Sequence, residues 1–309
     1  MYNMYFTITS RCNQCCTCCP YTDEDVPAPD MEISQIEEDV HKAIARLKET
    51  SGEQRLSVVL SGGEPTIHPE FPQMVGRLQK AGASVHVLSN AELLSSSELL
   101  GRMDQFVNWK ELRLTTTIHS EIPGEHEEAN RKKGSFERTV AGLHNADLRG
   151  AYVTVKHCVT GANYRGLNSF YRFVDNEFPI HMPLYLCGID YVGIPQERLA
   201  DNKIGLPQIR PALEGLFDLV EKKKVHRKVY ATHIPLCWTD PYYWKYLMMR
   251  NPAFFYKAAG RTGEMNWESS SDSGINGDLC GSCKVKNICM GTYKSAYPVL
   301  GQEGFRPYE

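Results

Sequence analysis

Long apolar runs are missing from this 309-residue chain. No stretch approaches the ~18 consecutive apolar residues that read as a membrane-spanning helix. The start, Met1-Tyr2-Asn3-Met4, has neither the basic nor the apolar segment of a secretory signal. A cytoplasmic protein with no membrane partner is therefore expected. An excess of basic charge is missing too. The 34 Lys and Arg stand against 37 Asp and Glu, a net charge of −3 with a pI near 6.4. That balance gives no electrostatic grip on a phosphate backbone, so no nucleic-acid partner is expected. Internal repeats are absent. With 42% hydrophobic and 23% charged residues, the chain can fill a core and is not disordered. Its length suits one large α/β unit, alone or with a small companion.

Cysteine, by contrast, is plentiful. Eleven cysteines in a large chain of cytosolic character point to metal ligation rather than disulfides. Five of them fall within eight positions of Thr9-Ser10-Arg11-Cys12-Asn13-Gln14-Cys15-Cys16-Thr17-Cys18-Cys19-Pro20. Cys12, Cys16 and Cys19 read as C-x3-C-x2-C. Thiolates favour zinc, Cu(I) or iron–sulfur clusters. A cubane has four irons, so three cysteines leave one iron with an open position for a ligand. Two other readings of the loop exist. A bacterial ferredoxin run through Cys12, Cys15 and Cys18 needs a cysteine at position 22, which is Thr. A zinc site built from C-x2-C pairs is the second. On the cubane reading Cys15 and Cys18 are bystanders, unless an alternative register is used.

A second motif, Ser61-Gly62-Gly63-Glu64-Pro65, follows the apolar run Leu56-Ser57-Val58-Val59-Leu60. Glycines at a strand's end let the backbone approach a ligand closely, at the edge where parallel sheets bind ligands. Taken together, the cysteine loop and the Gly-Gly-Glu-Pro turn resemble the radical S-adenosylmethionine (SAM) family over roughly residues 4–190. The resemblance implies a [4Fe–4S] cluster on Cys12, Cys16 and Cys19 that binds SAM. Gly62, Gly63, Glu64 and Pro65 would lie at the methionine amino group. Ser89 and Asn90, closing the third strand, would lie near the ribose or carboxylate; a plain turn is the other reading of that pair. The family usually carries an aromatic residue before the third cysteine. Cys18 stands there in this chain, and Tyr21 is the candidate for the adenine contact.

Strand and helix signals alternate along the chain. Strands are expected over residues 5–9, 56–60, 83–90, 111–119, 151–159 and 182–190. Helices are expected from a capping box at Ser34 and Glu37 and over 71–81, 95–103, 135–147 and 163–178. Six strand–helix units suit an open, partial (β/α)6 TIM-like barrel in residues 1–192, each strand ending at a common cavity. His119, closing the fourth strand, either faces substrate or is a satisfied core histidine. Residues 193–309 read as a small α+β module. It holds a polar connector at 194–206, a helix at 208–224, a strand at 225–234 and an aromatic-rich helix at 240–250.

That last third contains Cys280, Cys283 and Cys289 as C-x2-C-x5-C, with Cys237 upstream. Four cysteines saturate a cubane; zinc also takes four. The pattern resembles the twitch or SPASM-like extension of radical SAM enzymes, which implies an auxiliary [4Fe–4S] cluster. Cys187 is the alternative fourth ligand.

The family's chemistry implies reductive cleavage of SAM to a 5′-deoxyadenosyl radical, which takes a hydrogen atom from substrate carbon. A flavodoxin- or ferredoxin-type electron donor is implied. Cys187, at a predicted strand end, is the candidate to return a hydrogen atom, ahead of Cys158; a buried core thiol is the alternative for both. The C-terminal string, from Pro235-Leu236-Cys237 to Gly304-Phe305-Arg306-Pro307, resembles peptide-maturing members. A ribosomally made peptide is thus the expected substrate, although the first strand begins too near Met1 for a leader-recognition domain. Cross-linking, oxidation and epimerisation are the reactions implied. A small-molecule dehydrogenase or rearrangement enzyme is the second reading, and a non-catalytic iron–sulfur or zinc scaffold the third.

Overall fold

The structure, a computed structural model, describes residues 2–19, 30–50, 56–250, 254–259, 268–269 and 277–309. Tyr21 lies outside the described residues. Strand and helix alternate from the start: β1 (Tyr2–Thr9), α1 (Ile33–Thr50), β2 (Leu56–Gly62), α2 (Phe71–Lys80), β3 (Ser84–Leu88), α3 (Ser97–Phe106) and β4 (Leu112–Thr117). Then follow α4 (Pro123–Asn130), α5 (Ser135–Leu148), β5 (Tyr152–Cys158), α6 (Leu167–Glu177), β6 (Leu184–Cys187), α7 (Gln196–Asn202), α8 (Leu206–Glu221) and β7 (Val229–Thr232). Strands β8 (Phe254–Ala259) and β9 (Glu268–Ser269) and the short helix α9 (Ala296–Leu300) complete the described elements.

One sheet collects the strands in the order β7-β6-β5-β4-β3-β2-β1-β8-β9. Every pairing from β7 to β8 is parallel, and only β8 with β9 is antiparallel. Parallel strands need helical crossovers, and these supply the outer layer. The apolar run at 56–60 becomes β2 because it is covered on both sides: Val58, Val59 and Leu60 are buried, as expected for an inner parallel strand. The α6 face follows the helical period. Leu167, Phe170, Tyr171 and Val174 are buried along it, each contributing roughly 1.5–3 kcal/mol of burial.

The partial-barrel expectation holds for β1–β6, and the sheet goes further on both edges. β7, expected in the C-terminal module, pairs with β6 from Leu184↔Val229 to Cys187↔Thr232. The sheet therefore crosses position 192. On the other edge β8 pairs with β1. The capping box at Ser34 and Glu37 is not formed. Helix α1 already starts at Ile33, and Glu37 accepts from the Arg77 Nε at 2.6 Å, an inter-helix ion pair that local sequence does not show. The expected helix at 240–250 is a 3-10 turn, Pro241–Tyr246. Its rings are tied to α8: the Tyr242 hydroxyl donates to Glu221 at 2.5 Å and the Tyr243 hydroxyl to Asp218 at 2.6 Å. The polar connector at 194–206 contains α7, and the charged stretch before α5 contains α4.

A buried arginine closes the bottom of the β6 and β7 side. The Arg227 side chain is fully buried. It donates to the carbonyls of Val174 and Phe178 at 2.8 Å, Met182 at 2.6 Å and Pro179 at 3.3 Å, and its Nε pairs with Asp175. These carbonyls lie at the end of α6 and in the turn beyond it. Arg227→Ala removes all of these bonds. Val174 and Pro179 keep the amides of Phe178 and Met182, and Asp175 keeps Lys223, while the carbonyls of Phe178 and Met182 lose the guanidinium. The expected loss is about 3–5 kcal/mol of stability, read as a fall in the urea midpoint, whereas Lys222→Ala on the adjacent surface leaves the midpoint unchanged.

Candidate metal centre

All parallel strands end on the same side, and the cysteine loop crosses that end directly after β1. Its anchor is the Gly62-Gly63 turn. The Gly63 amide donates to the Thr9 carbonyl and the Glu64 amide to the Arg11 carbonyl, each at 2.8 Å. A Cβ on Gly62 would stand 2.2 Å from the Thr9 oxygen, and one on Gly63 2.2 Å from the Arg11 oxygen. Gly62 also has φ +136°, a conformation that side chains rarely tolerate. Both glycines are therefore required by the loop itself, because two stretches of backbone touch here.

Glu64 is the second anchor. Its buried carboxylate accepts from the Thr66 amide (3.0 Å), the Thr66 hydroxyl (2.5 Å), the Ser89 hydroxyl (2.7 Å) and the Asn90 amide (2.7 Å). Burial pushes its pKa up, and these four donors oppose the shift. Three of them fill Oε1, so the acceptor capacity that is left lies on Oε2. Asn90 reaches on to the loop, its Nδ2 donating to the Asn13 side chain at 2.7 Å. Ser89 and Asn90 are thus built into the support of the turn.

Other supports were not legible in the sequence. Glu92 is buried and accepts from Gln14 of the loop at 3.3 Å and from Arg138 of α5 at 2.8 Å. The Cys15 amide donates to the Asn130 carbonyl at 3.0 Å and the Thr17 amide to the Ala129 carbonyl at 2.8 Å, so the end of α4 is capped by the loop. Asn202 of α7 donates to the Thr17 carbonyl at 3.4 Å. A lone Glu, Asn or helix end carries no such signal, because its partner lies far away in sequence. Gly134 in the step before α5 has φ +69°, which fits its place as the cap of that helix.

The loop brings the three expected cysteines together beside the turn. Burial pushes the Cys12 thiol up to about 11, and the nearby Glu64 and Cys19 add to that. Burial also raises Cys16 well above its ordinary value, with Cys18, Cys19 and Cys12 contributing. Thiols that repel one another as thiolates fit a cationic iron site, which supplies the missing charge. Among the described residues no three His, Cys, Asp or Glu side chains converge on a single-ion point. A cubane does not require that, since each thiolate binds a different iron. Cys18 lies between the loop and the strands: its electrostatic neighbours are Cys158, Lys156 and Cys19, and it acts on Cys16.

The second set also assembles. Cys237, Cys280, Cys283 and Cys289 line one small cavity of about 20 Å³ with Pro235, Val285, Tyr297 and Phe305. Burial raises Cys237 to about 12, and all three other cysteines add to the shift. The Cys289 Sγ accepts from the amides of Leu236 (3.4 Å) and Gly291 (3.3 Å), the kind of N–H···S bond that tunes an iron–sulfur centre. Cys187 is not in this cavity. It sits in the sheet beside Cys158, which leaves Cys237 as the fourth member.

A cavity of about 1020 Å³ opens beside the loop, at the C-terminal ends of β4 and β5. Thr17, Cys18, His119, Ser120, Asn163 and Arg198 are among its walls. His119 is buried, and its ring packs 5.5 Å from that of His126. Burial, with the charges of His126, His157 and Lys156 adding to it, lowers its pKa to about 3. The imidazole is therefore neutral at physiological pH, and it edges the cavity.

A partial barrel with a three-cysteine loop stapled over a Gly-Gly turn defines a cluster-binding class, and comparison with known proteins gives the family. The Radical SAM superfamily profile matches residues 6–173, more than half of the chain, and the chain belongs to that superfamily. Members bind a [4Fe–4S] cluster and SAM. The Fe-coproporphyrin III synthase of Methanosarcina barkeri is 21% identical over 254 residues, 80% of this chain and 59% of its own length. The chain thus spans little more than half of that curated relative. SuiB of Streptococcus suis bound to SAM superposes with a TM-score of 0.64 at 13% identity, covering 94% of this chain and 72% of SuiB. The enzyme anSMEcpe with bound AdoMet and the Cp18Cys peptide superposes with a TM-score of 0.65 at 14% identity, covering 99% and 92%. These likenesses show the fold. No helix among the described residues is long and apolar enough to cross a membrane.

The staple makes a direct prediction. Gly63→Ala puts a methyl group into the Arg11 carbonyl and displaces the loop. After anaerobic reconstitution the variant should keep a native far-UV spectrum and bind about four irons fewer than the wild-type chain, one cubane's worth.

Proposed function

We propose that the chain is a radical SAM enzyme that attacks a carbon atom of a ribosomally made peptide and holds two [4Fe–4S] clusters. Cys12, Cys16 and Cys19 hold the first, with SAM at its open iron beside Gly62, Gly63, Glu64 and Pro65. Cys237, Cys280, Cys283 and Cys289 hold the second. Residues 1–192 act as the catalytic barrel and 193–309 as the auxiliary-cluster module, which lends β7 to the barrel sheet. The observation that carries this reading is the assembly of both cysteine sets, one beside the Gly-Gly turn and the other around a single cavity.

When bound, the first cluster and SAM supply a 5′-deoxyadenosyl radical. The protein's part is position and exclusion of water. The loop is fixed at Thr9 and Arg11 from β2, at Asn13 from β3 and at Cys15 and Thr17 from α4, so the thiolates need no reorganisation. Glu64 keeps acceptor capacity on Oε2, suited to an ammonium group. A peptide is favoured because the cavity of about 1020 Å³ beside Cys18 is open and polar enough to take a chain segment, and because anSMEcpe holds a peptide on a similar fold. A small-molecule substrate is the second reading, supported by the relative from Methanosarcina barkeri. Electrons would come from a flavodoxin- or ferredoxin-type protein.

Anaerobic reconstitution should give about eight irons per chain, and about four when Cys12, Cys16 and Cys19 are all replaced by Ala. Zinc in place of that residual iron refutes the auxiliary cluster. Reduced enzyme mixed with SAM should release 5′-deoxyadenosine, and a fully loaded sample that releases none refutes the radical reading. Co-expression with a short peptide encoded beside its gene should change that peptide's mass or stereochemistry. An unchanged peptide, with turnover of a sugar or tetrapyrrole instead, would favour the small-molecule reading.

A further inference from the structure

The barrel interior contains a second thiol group that neither cluster uses. Lys156 and Cys158 are two apart on β5 and so share a face of the strand. Cys158 is the register partner of Cys187 on β6, and Cys187 of Thr232 on β7. The two sulfurs are hydrogen-bonded to each other, and Cys158 is also bonded to Lys156 and Thr117. The Tyr293 hydroxyl lies 3.8 Å from the Cys187 Sγ. Tyr293 follows Cys289 by four residues and stacks on His233.

We propose, on the radical SAM reading above, that Cys158 and Cys187 form a redox-active dithiol. In this proposal Cys187 gives a hydrogen atom to a carbon-centred radical of the peptide substrate, and the pair ends as a disulfide. Two buried thiols alone would be core residues. The lysine argues against that here. A buried ammonium is costly unless it is paired, and the anions that sustain the charge of Lys156 are sulfurs, Cys158 first, then Cys187 and Cys18. The same contacts split the pair. The Cys187 hydrogen bond and then Lys156 hold Cys158 below its ordinary value, while its bond to Cys158 and its burial raise Cys187. Of the two, Cys158 is the sulfur favoured to ionise and Cys187 the one favoured to keep its hydrogen. Paired strands lie about 4.7–4.9 Å apart, within the ~4.4–6.8 Å between Cα atoms that a disulfide spans.

The step balances. The Cys187 S–H bond breaks as a C–H bond forms on the substrate. The sulfur radical joins the Cys158 thiolate in a new S–S bond that carries one electron in excess. An oxidised iron–sulfur centre, which Cys237, Cys280, Cys283 and Cys289 would hold, would take up that one electron. A small dithiol reductant, of the lipoamide or dithiothreitol type, restores both thiols with two electrons and two protons, one of which Cys158 releases again. The product regains a hydrogen at the attacked carbon, so this pair selects inversion of a stereocentre over cross-linking or net oxidation.

Two measurements on the reconstituted enzyme test this. Diamide treatment followed by peptide mapping should find Cys158 joined to Cys187, and Cys187→Ser and Cys158→Ser should each lose that linkage. In D2O, SAM cleaved without substrate should give 5′-deoxyadenosine that carries solvent deuterium, because the exchangeable Cys187 S–D quenches the radical. Cys187→Ser should make unlabelled 5′-deoxyadenosine. A wild-type map in which both thiols stay free, or wild-type 5′-deoxyadenosine without deuterium, overturns the proposal. A wild-type enzyme that forms the linkage and cleaves no SAM overturns the radical reading and leaves the dithiol standing.

Discussion

Two backbone hydrogen bonds, from Gly63 to Thr9 and from Glu64 to Arg11, decide where the first cysteine set sits. Each is worth only about 0.5–1.5 kcal/mol net. Their effect comes from what they fix: the first residues of a loop that would otherwise hang from the end of β1. The glycines make the contact possible by leaving no side chain between two carbonyls and the turn. A ligand held by this loop therefore inherits the rigidity of the sheet through β1 and β2, whose register runs unbroken up to Thr7 and shifts only as the loop begins.

The polar supports around the loop are arranged so that no buried acid stands alone. Glu64 collects donors from its own turn and from the end of β3, and Glu92 sits between the loop and Arg138. A buried carboxylate is unfavourable unless it is satisfied. Each one here is satisfied by joining segments that are distant in sequence, and cost is thereby turned into order: moving the loop would take from Glu92 its Gln14 donor. This preorganisation suits a site whose reactive species must be kept from water and from the wrong carbon.

Much of this was legible in the chain. The three-cysteine spacing, the Gly-Gly-Glu-Pro turn and six alternating strand signals are local patterns, and they led to the right architecture and family. Local patterns also misled. Ser34 and Glu37 look like a cap, yet Glu37 serves α2. The aromatic run at 241–246 looks helical, yet hydroxyl bonds to α8 hold it in a tighter turn. β7 and β8 were not assigned to the sheet because a four-residue edge strand and a strand about 250 residues from its partner β1 are recruited by pairing rather than by local pattern. The reason for the two glycines was also half seen. The sequence suggests close approach to a ligand, and the structure shows that the first approach is to the protein's own backbone.

Eleven cysteines in one chain invite the question of how each finds its place, and strand alternation gives much of the answer. Cys12, Cys16 and Cys19 are spaced along a loop, where side chains can turn to a common point. Cys280, Cys283 and Cys289 lie in turns that fold back on Cys237. Cys158 and Cys187 instead end two strands, and the pleat leaves each only one of two faces. The register that pairs them in the ladder also puts Lys156 on the same side. A cysteine on a strand cannot move to join a distant cluster without a one-residue slip that would turn the whole strand inside out. The sheet thus fixes the interior pair in register, with Cys18 of the loop as an electrostatic neighbour.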